Sequence, residues 1–102
     1  MPITGVKYAF TESNVNLAPA EHGVYELYDG NVTAYIGRAS GDEVTIRSRL
    51  MSHYRGDEGL CMAAATHYRR EATSRPIARE SELLDEYEEI YGELPRCNDR
   101  RA

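Results

Sequence analysis

A chain of 102 residues, 41% hydrophobic and 28% charged, has material for one small core and none for a second. Its longest apolar stretches, such as Met62-Ala63-Ala64-Ala65, fall far short of the roughly 20 residues a membrane span needs. Seventeen acidic residues against 12 basic ones give a net charge of -5, which argues against broad, non-specific attraction to a polyanion.

The charge is unevenly placed. Residues 1–37 carry -3, residues 38–79 carry +3 and residues 80–102 carry -5, so the middle of the chain is its basic part. Eleven of the 12 basic residues are arginine, whose guanidinium fork suits bidentate phosphate contacts, although a compositional bias of the salt-adapted kind accounts for the count equally well. Met1-Pro2-Ile3-Thr4-Gly5 lacks the basic and apolar regions of a secretory signal, which gives the expectation of a cytoplasmic protein. Cys61 and Cys97 lie 36 positions apart, fitting neither a close-spaced zinc pair nor a disulfide framework, and read as free thiols.

Taken in chain order, residues 1–22 read as an extended lead-in. Gly23-Val24-Tyr25-Glu26-Leu27-Tyr28 and Val32-Thr33-Ala34-Tyr35-Ile36-Gly37, joined through Asp29-Gly30-Asn31, predict a β-hairpin from their β-branched and aromatic runs around an Asp-Gly turn. Ser40, with Glu43 three residues later, fits a capping box opening a helix over 43–54. At 100° per residue Arg49 and His53 fall on the same side of that helix as Ile46 and Leu50, whereas Arg47 points away. Residues 55–60 read as a loop, followed by a helical turn and a strand near 66–72. Ser74 as cap, Pro76 in the first turn and Gly92 as stop predict a helix over 76–91.

On that last helix the apolar stripe of Ile77, Leu83, Leu84, Tyr87 and Tyr91 has Glu80 at its centre, while Glu82, Asp85, Glu86 and Glu89 fall on the opposite side. A carboxylate on the buried side needs a partner, and the residues alone leave open an arginine, with a Glu80–Arg49 salt bridge as the plain structural account, a hydrogen-bond cluster or a metal ion. His53 is equally open between a proton carrier or phosphate ligand beside Arg49 and an ordinary core histidine. His22 and His67 have no companion at metal-ligand spacing.

Together these pieces resemble the GIY-YIG nuclease domain. Gly23-Val24-Tyr25 is similar to the first tripeptide, with Val for Ile, and Tyr35-Ile36-Gly37 matches the second. Arg49 resembles the family's arginine, Glu80 in Glu80-x-x-Leu83-Leu84 its metal-binding glutamate, and Asn98 its closing asparagine. The resemblance spans 23–98 and implies one α+β domain over 1–102, a three-stranded, mainly antiparallel sheet flanked by helices. It also implies a DNA endonuclease that nicks one strand by hydrolysis and leaves a 5′-phosphate. In that reading Tyr25 or Tyr35 orients or deprotonates the water, Arg49 grips phosphate, and Glu80 holds Mg²⁺ or Mn²⁺ with most of its water shell. His53 is a secondary candidate, and Asn98 fixes the site by hydrogen bonding. Arg38, Arg47, Arg69 and Arg70 are candidates for further phosphate contacts. Two departures stand out: 11 residues separate Gly37 from Arg49, several more than is usual, and Arg38 stands where excision-repair relatives often have Lys. An arginine contacts phosphate but is a poor proton donor. Because the chain is acidic and the resemblance covers no separate DNA-binding domain, weak, salt-sensitive binding is expected, with a protein partner or homodimer supplying affinity. The alternative is a non-catalytic module of the same fold that binds nucleic acid or protein.

Overall fold

The computed structural model describes residues 1–98. Four strands form one antiparallel sheet in the order β1-β4-β2-β3, where β1 is Tyr8–Ala9, β2 Gly23–Asp29, β3 Val32–Ala39 and β4 His67–Ala72. The predicted hairpin is β2–β3, closed by Gly30 and Asn31, with Asp29 paired to Val32 and Gly30 at the positive φ of 62° that such a tight turn requires. The sheet has four strands rather than three. The extra one, β1, is two residues long, too short for the brief alternation of Val6, Tyr8 and Phe10 to mark it as a strand. The lead-in is also less extended than expected, because Thr11 caps a short helix α1, Glu12–Asn16, by accepting from the Asn14 amide.

Strand β2 is central and covered on both faces, so it is buried from Gly23 to Tyr28. Tyr25 and Leu27 face one layer, packing with Phe10, Val15, Ala39, Ile46, Leu50 and Tyr68 beneath α1 and α2 (Ile46–Tyr54). Val24 faces the other, packing with Ile3, Ile36, Leu83 and Leu84 of α4 (Pro76–Tyr91). Each fully buried aliphatic or aromatic side chain in these layers contributes roughly 1.5–3 kcal/mol. The intervening α3, Leu60–Ala63, is a single turn that leads into β4, as the sequence suggested.

Three local expectations are corrected. Helix α2 starts at Ile46 rather than 43, with Thr45 and Ser48 forming the capping box; Glu43 lies at φ 61°, outside helical space, and Ser40 caps nothing. Arg75 rather than Ser74 is the N-cap residue of α4, without a side-chain capping bond, whereas Gly92 closes the helix in the left-handed conformation as anticipated. Cys61 and Cys97 are not free thiols: they form a disulfide with Cα atoms 5.8 Å apart. Thiol spacing cannot reveal this, because the pair is brought together by β4 and α4 folding back between them. On loop-closure grounds a bridge of that span stabilises the fold by about 4 kcal/mol. Within α4, Ile77 and Tyr91 are exposed while Pro76, Leu83 and Leu84 are buried. Among the described residues no helix is long and apolar enough to cross a membrane.

Candidate active site

The hairpin register sets the first side chains. Tyr25 pairs with Gly37 and Leu27 with Tyr35, so both tyrosines project from the α2 face, on adjacent strands, with ring centroids 6.2 Å apart. Gly37 makes this possible. A Cβ there would lie 2.6 Å from both the Tyr25 hydroxyl and Tyr35 Cε2. Gly23 has an equivalent constraint, since its Cβ would meet the Glu71 carbonyl at 2.3 Å and Ile46 Cδ1 at 2.6 Å. The two glycines of the tripeptides are thus spaces left for the tyrosines and for the seating of α2.

Helix α2 lays Arg49 and His53, four residues apart, against those rings. His53 is fully buried, and its Nε2 lies 2.8 Å from the Tyr25 hydroxyl. Burial, aided by the Arg49 charge, brings the His53 pKa down to about 4, so the ring is neutral at pH 7 and shares one hydrogen bond with the phenol. Its Nδ1 is buried without a partner among the described residues. Burial also raises the Tyr25 and Tyr35 phenols above their ordinary range, an effect opposed by the charge and hydrogen bonding of Arg49. Arg49 Nη1 donates to Glu58 Oε2 at 3.1 Å, and the Ser52 hydroxyl donates to the same oxygen at 3.1 Å.

Alternation along β3 puts Arg38 on the opposite face, toward α4. There Arg38 Nη1 donates to Glu80 Oε1 at 2.6 Å, with the side chains 32% and 15% exposed. The Glu80–Arg49 salt bridge that the residues alone left open is not formed: Glu80 takes Arg38, and Arg49 takes Glu58. Because β3 is the edge strand, the two faces meet beyond it in a cleft of about 370 Å³ lined by Tyr35, Arg38, Ser40, Val44, Arg49 and Glu80. The edge itself is braced from the C-terminal side. Cys97 N donates to the Ala34 carbonyl at 2.9 Å, and the Asn98 side chain both accepts from Ile36 N and donates to Ile36 O, each at 3.0 Å.

Of the residues singled out in the sequence, Tyr35, Arg38, Arg49 and Glu80 share the cleft, Tyr25 and His53 lie directly behind it, and Asn98 grips the strand between Tyr35 and Gly37. The remaining arginines lie elsewhere. Arg47 is exposed, with Nε donating to the Ala18 carbonyl at 2.8 Å. Arg69 stacks over Tyr28 on the α4 face, 5.6 Å from the ring centroid, and Arg70 over Tyr8 at 4.7 Å. His22 bonds the Gly41 carbonyl and His67 the Thr66 hydroxyl. Ser40 and Val44, which line the cleft, and Glu58, which holds Arg49, carry no periodic signal; only the position of Glu58 in a loop close after Arg49 hints at it. Among the described residues there is no group of three or more His, Cys, Asp or Glu side chains able to hold a metal ion.

A four-stranded antiparallel sheet whose hairpin carries two Tyr-Gly-bearing tripeptides, with an edge cleft between two helices, is the architecture of a GIY-YIG domain. The chain is similar to crystal structures of the GIY-YIG N-terminal endonuclease domain of UvrC from Thermotoga maritima. The magnesium-bound form is 22% identical over 84% of this chain and 92% of its own, with a TM-score of 0.60. Two point mutants, each bound to a catalytic divalent cation, are 23% and 22% identical over 86% of this chain and 93% of theirs, with TM-scores of 0.61 and 0.63. At these identities the likeness is one of fold. No protein-family model and no curated protein matches the chain.

Proposed function

We propose that this chain is a metal-dependent DNA endonuclease that hydrolyses one phosphodiester bond and leaves a nick with a 5′-phosphate. The observation that carries the reading is the convergence in one cleft of a phenol, two guanidinium groups and a carboxylate, Tyr35, Arg38, Arg49 and Glu80, backed by the Tyr25–His53 hydrogen bond. Glu80 fits a hard divalent cation, Mg²⁺ or Mn²⁺. It is a single oxygen donor on the wall of a cleft with room for several waters, and an ion that keeps most of its shell needs no more. Such a cation supplies neutralisation of the charge that develops on the phosphate and leaving oxygen.

The chain's own residues divide the remaining work. Arg49 presents its cleft-facing edge to the non-bridging phosphate oxygens, joined by Arg38 once that side chain leaves Glu80. Tyr35 reaches the cleft and Tyr25 is wholly buried, so Tyr35 is the phenol that orients the attacking water. Tyr25 and neutral His53 share a hydrogen bond that holds the ring pair in place, and with a pKa near 4 the histidine serves to position the rings rather than to take up a proton. Asn98 keeps the backbone between Tyr35 and Gly37 from sliding. With a net charge of -5, the chain alone should bind DNA weakly and in a salt-sensitive way, so a protein partner or a second copy would supply affinity.

The test is nicking of supercoiled plasmid with Mg²⁺ or Mn²⁺, beside Glu80→Gln and Arg49→Ala variants shown by circular dichroism to be folded. Metal-dependent nicking that falls at least about a thousandfold in both variants is the expected result. The self-contained Arg38–Glu80 ion pair favours a second reading, a non-catalytic module binding nucleic acid or protein. Absence of nicking on plasmid, single-stranded and branched DNA would select it.

A further inference from the structure

We propose that Glu58, on the loop after α2, is a positioning residue for Arg49, fixing the guanidinium so that its cleft-facing edge meets the scissile phosphate; this rests on the nuclease reading above. One carboxylate oxygen, Oε2, accepts from both Arg49 Nη1 and the Ser52 hydroxyl, each at 3.1 Å. The guanidinium is thereby tied to a group that is itself tied to helix α2. Arg49 and Glu58 are both about two-thirds buried, so the pair is only partly screened.

The loop that carries Glu58 is fixed at both ends. Asp57 N donates to the Ser52 carbonyl at 3.0 Å and Gly59 N to the Gly56 carbonyl at 3.2 Å, while three residues beyond Glu58 the disulfide joins Cys61 to Cys97, beside Asn98. An acid next to a phosphate-gripping arginine can either hold it or compete with phosphate for it, and the cleft decides between the two. Its walls are Tyr35, Arg38, Ser40, Val44, Arg49 and Glu80, with Glu58 not among them. Glu58 therefore takes one Arg49 donor, Nη1, without itself lining the cleft that Arg49 faces. The same carboxylate acts electrostatically on Tyr25, Tyr35 and His53, which places it within the field of the whole catalytic edge.

Because a single oxygen takes both hydrogen bonds, the amide oxygen of glutamine can reproduce them without the charge. In the plasmid assay, Glu58→Ala should lower kcat about ten- to hundredfold, the scale of a misplaced catalytic group, with KM changed less than about threefold. Glu58→Gln should restore most of the rate. A second readout needs no activity: rotation of the Arg49 guanidinium, followed by nitrogen NMR, should be slow in the wild type and in Glu58→Gln and fast in Glu58→Ala. Unchanged kcat in Glu58→Ala would overturn the proposal, as would a raised rate with lowered KM, equal losses in the alanine and glutamine variants, or an unchanged guanidinium rotation. If the wild type fails to nick DNA, the nuclease reading falls and the NMR measurement alone decides whether Glu58 holds Arg49.

Discussion

The two sides of the cleft are built differently. On the α2 side, Tyr25 and His53 are fully buried and bonded to each other, and Arg49 is held by a carboxylate that Ser52 also holds. On the α4 side stands the ion pair Arg38–Glu80, no more exposed than Arg49–Glu58 but made by a single hydrogen bond among the described residues, with no third group sharing the carboxylate oxygen as Ser52 does. Buried, multiply bonded groups keep their geometry before a ligand arrives, which is the condition for preorganised electrostatic stabilisation. On the nuclease reading, an ion pair made by one hydrogen bond on the wall of the cleft is the one that would exchange partners, a cation replacing Arg38 at Glu80 and a phosphate replacing Glu80 at Arg38. The molecule thus pairs a fixed side with an exchangeable one.

The largest effect that would test this division is expected within the fixed side. Tyr35→Phe should lower the nicking rate about a hundredfold or more, the usual cost of removing a hydrogen-bonding group at a reacting centre, whereas Tyr25→Phe should cost about tenfold. Measured single-turnover rates in the reverse order would show that the buried ring, and not the cleft ring, meets the water. Next comes pH. His53 has a folded-state pKa of about 4, below the ordinary value near 6.5, so the unfolded chain takes up its proton first. The His53 contribution to stability should then fall by roughly 3 kcal/mol as the pH drops from about 6.5 to about 4, and change no further below that. Urea titrations across the window should show this slope in the wild type and its loss in His53→Gln.

A smaller loss is expected from Gly37→Ala, where the new Cβ would press on both rings. About 1–3 kcal/mol of overpacking should appear as a lower melting temperature with slower nicking. The smallest effect is that of removing Arg38 from the exchangeable side. Arg38→Ala frees Glu80 of its counter-ion and should tighten Mn²⁺ binding a few-fold, measured by calorimetry, even as DNA binding weakens. Unchanged Mn²⁺ affinity would mean that the ion pair does not compete with the cation.

Features carried by local pattern were legible in the sequence. The hairpin follows from β-branched and aromatic runs around Asp29-Gly30, α4 from Pro76 and Gly92, and the shared face of Arg49 and His53 from their spacing of four. Glu80 was found on the buried side because a helix wheel needs only one element. Its partner was missed because pairing between elements depends on strand parity as well: Arg38 alternates with Tyr35 and Gly37 and so faces α4, whereas Arg49 approaches from the other side of the sheet. The start of α2 was misplaced because Ser40-x-x-Glu43 offers the same capping pattern as the region around Thr45, and only the left-handed turn at Glu43 separates them. Strand β1, the Glu58 contact and the disulfide depend on tertiary proximity, which no periodicity encodes.

The disulfide also divides the chain topologically. Residues 61–97 form a covalently closed ring that contains β4, α4 and Glu80, while the tyrosine hairpin, Arg49 and His53 lie outside it. A protease cut within the ring, for instance in the exposed turn at Gly92 and Glu93, would leave two polypeptide pieces still joined as one molecule, separable only after reduction. The carboxylate and the tyrosines of the cleft would then sit on a backbone broken between Glu80 and its C-terminal brace, with Cys61–Cys97 the one covalent link left between the pieces.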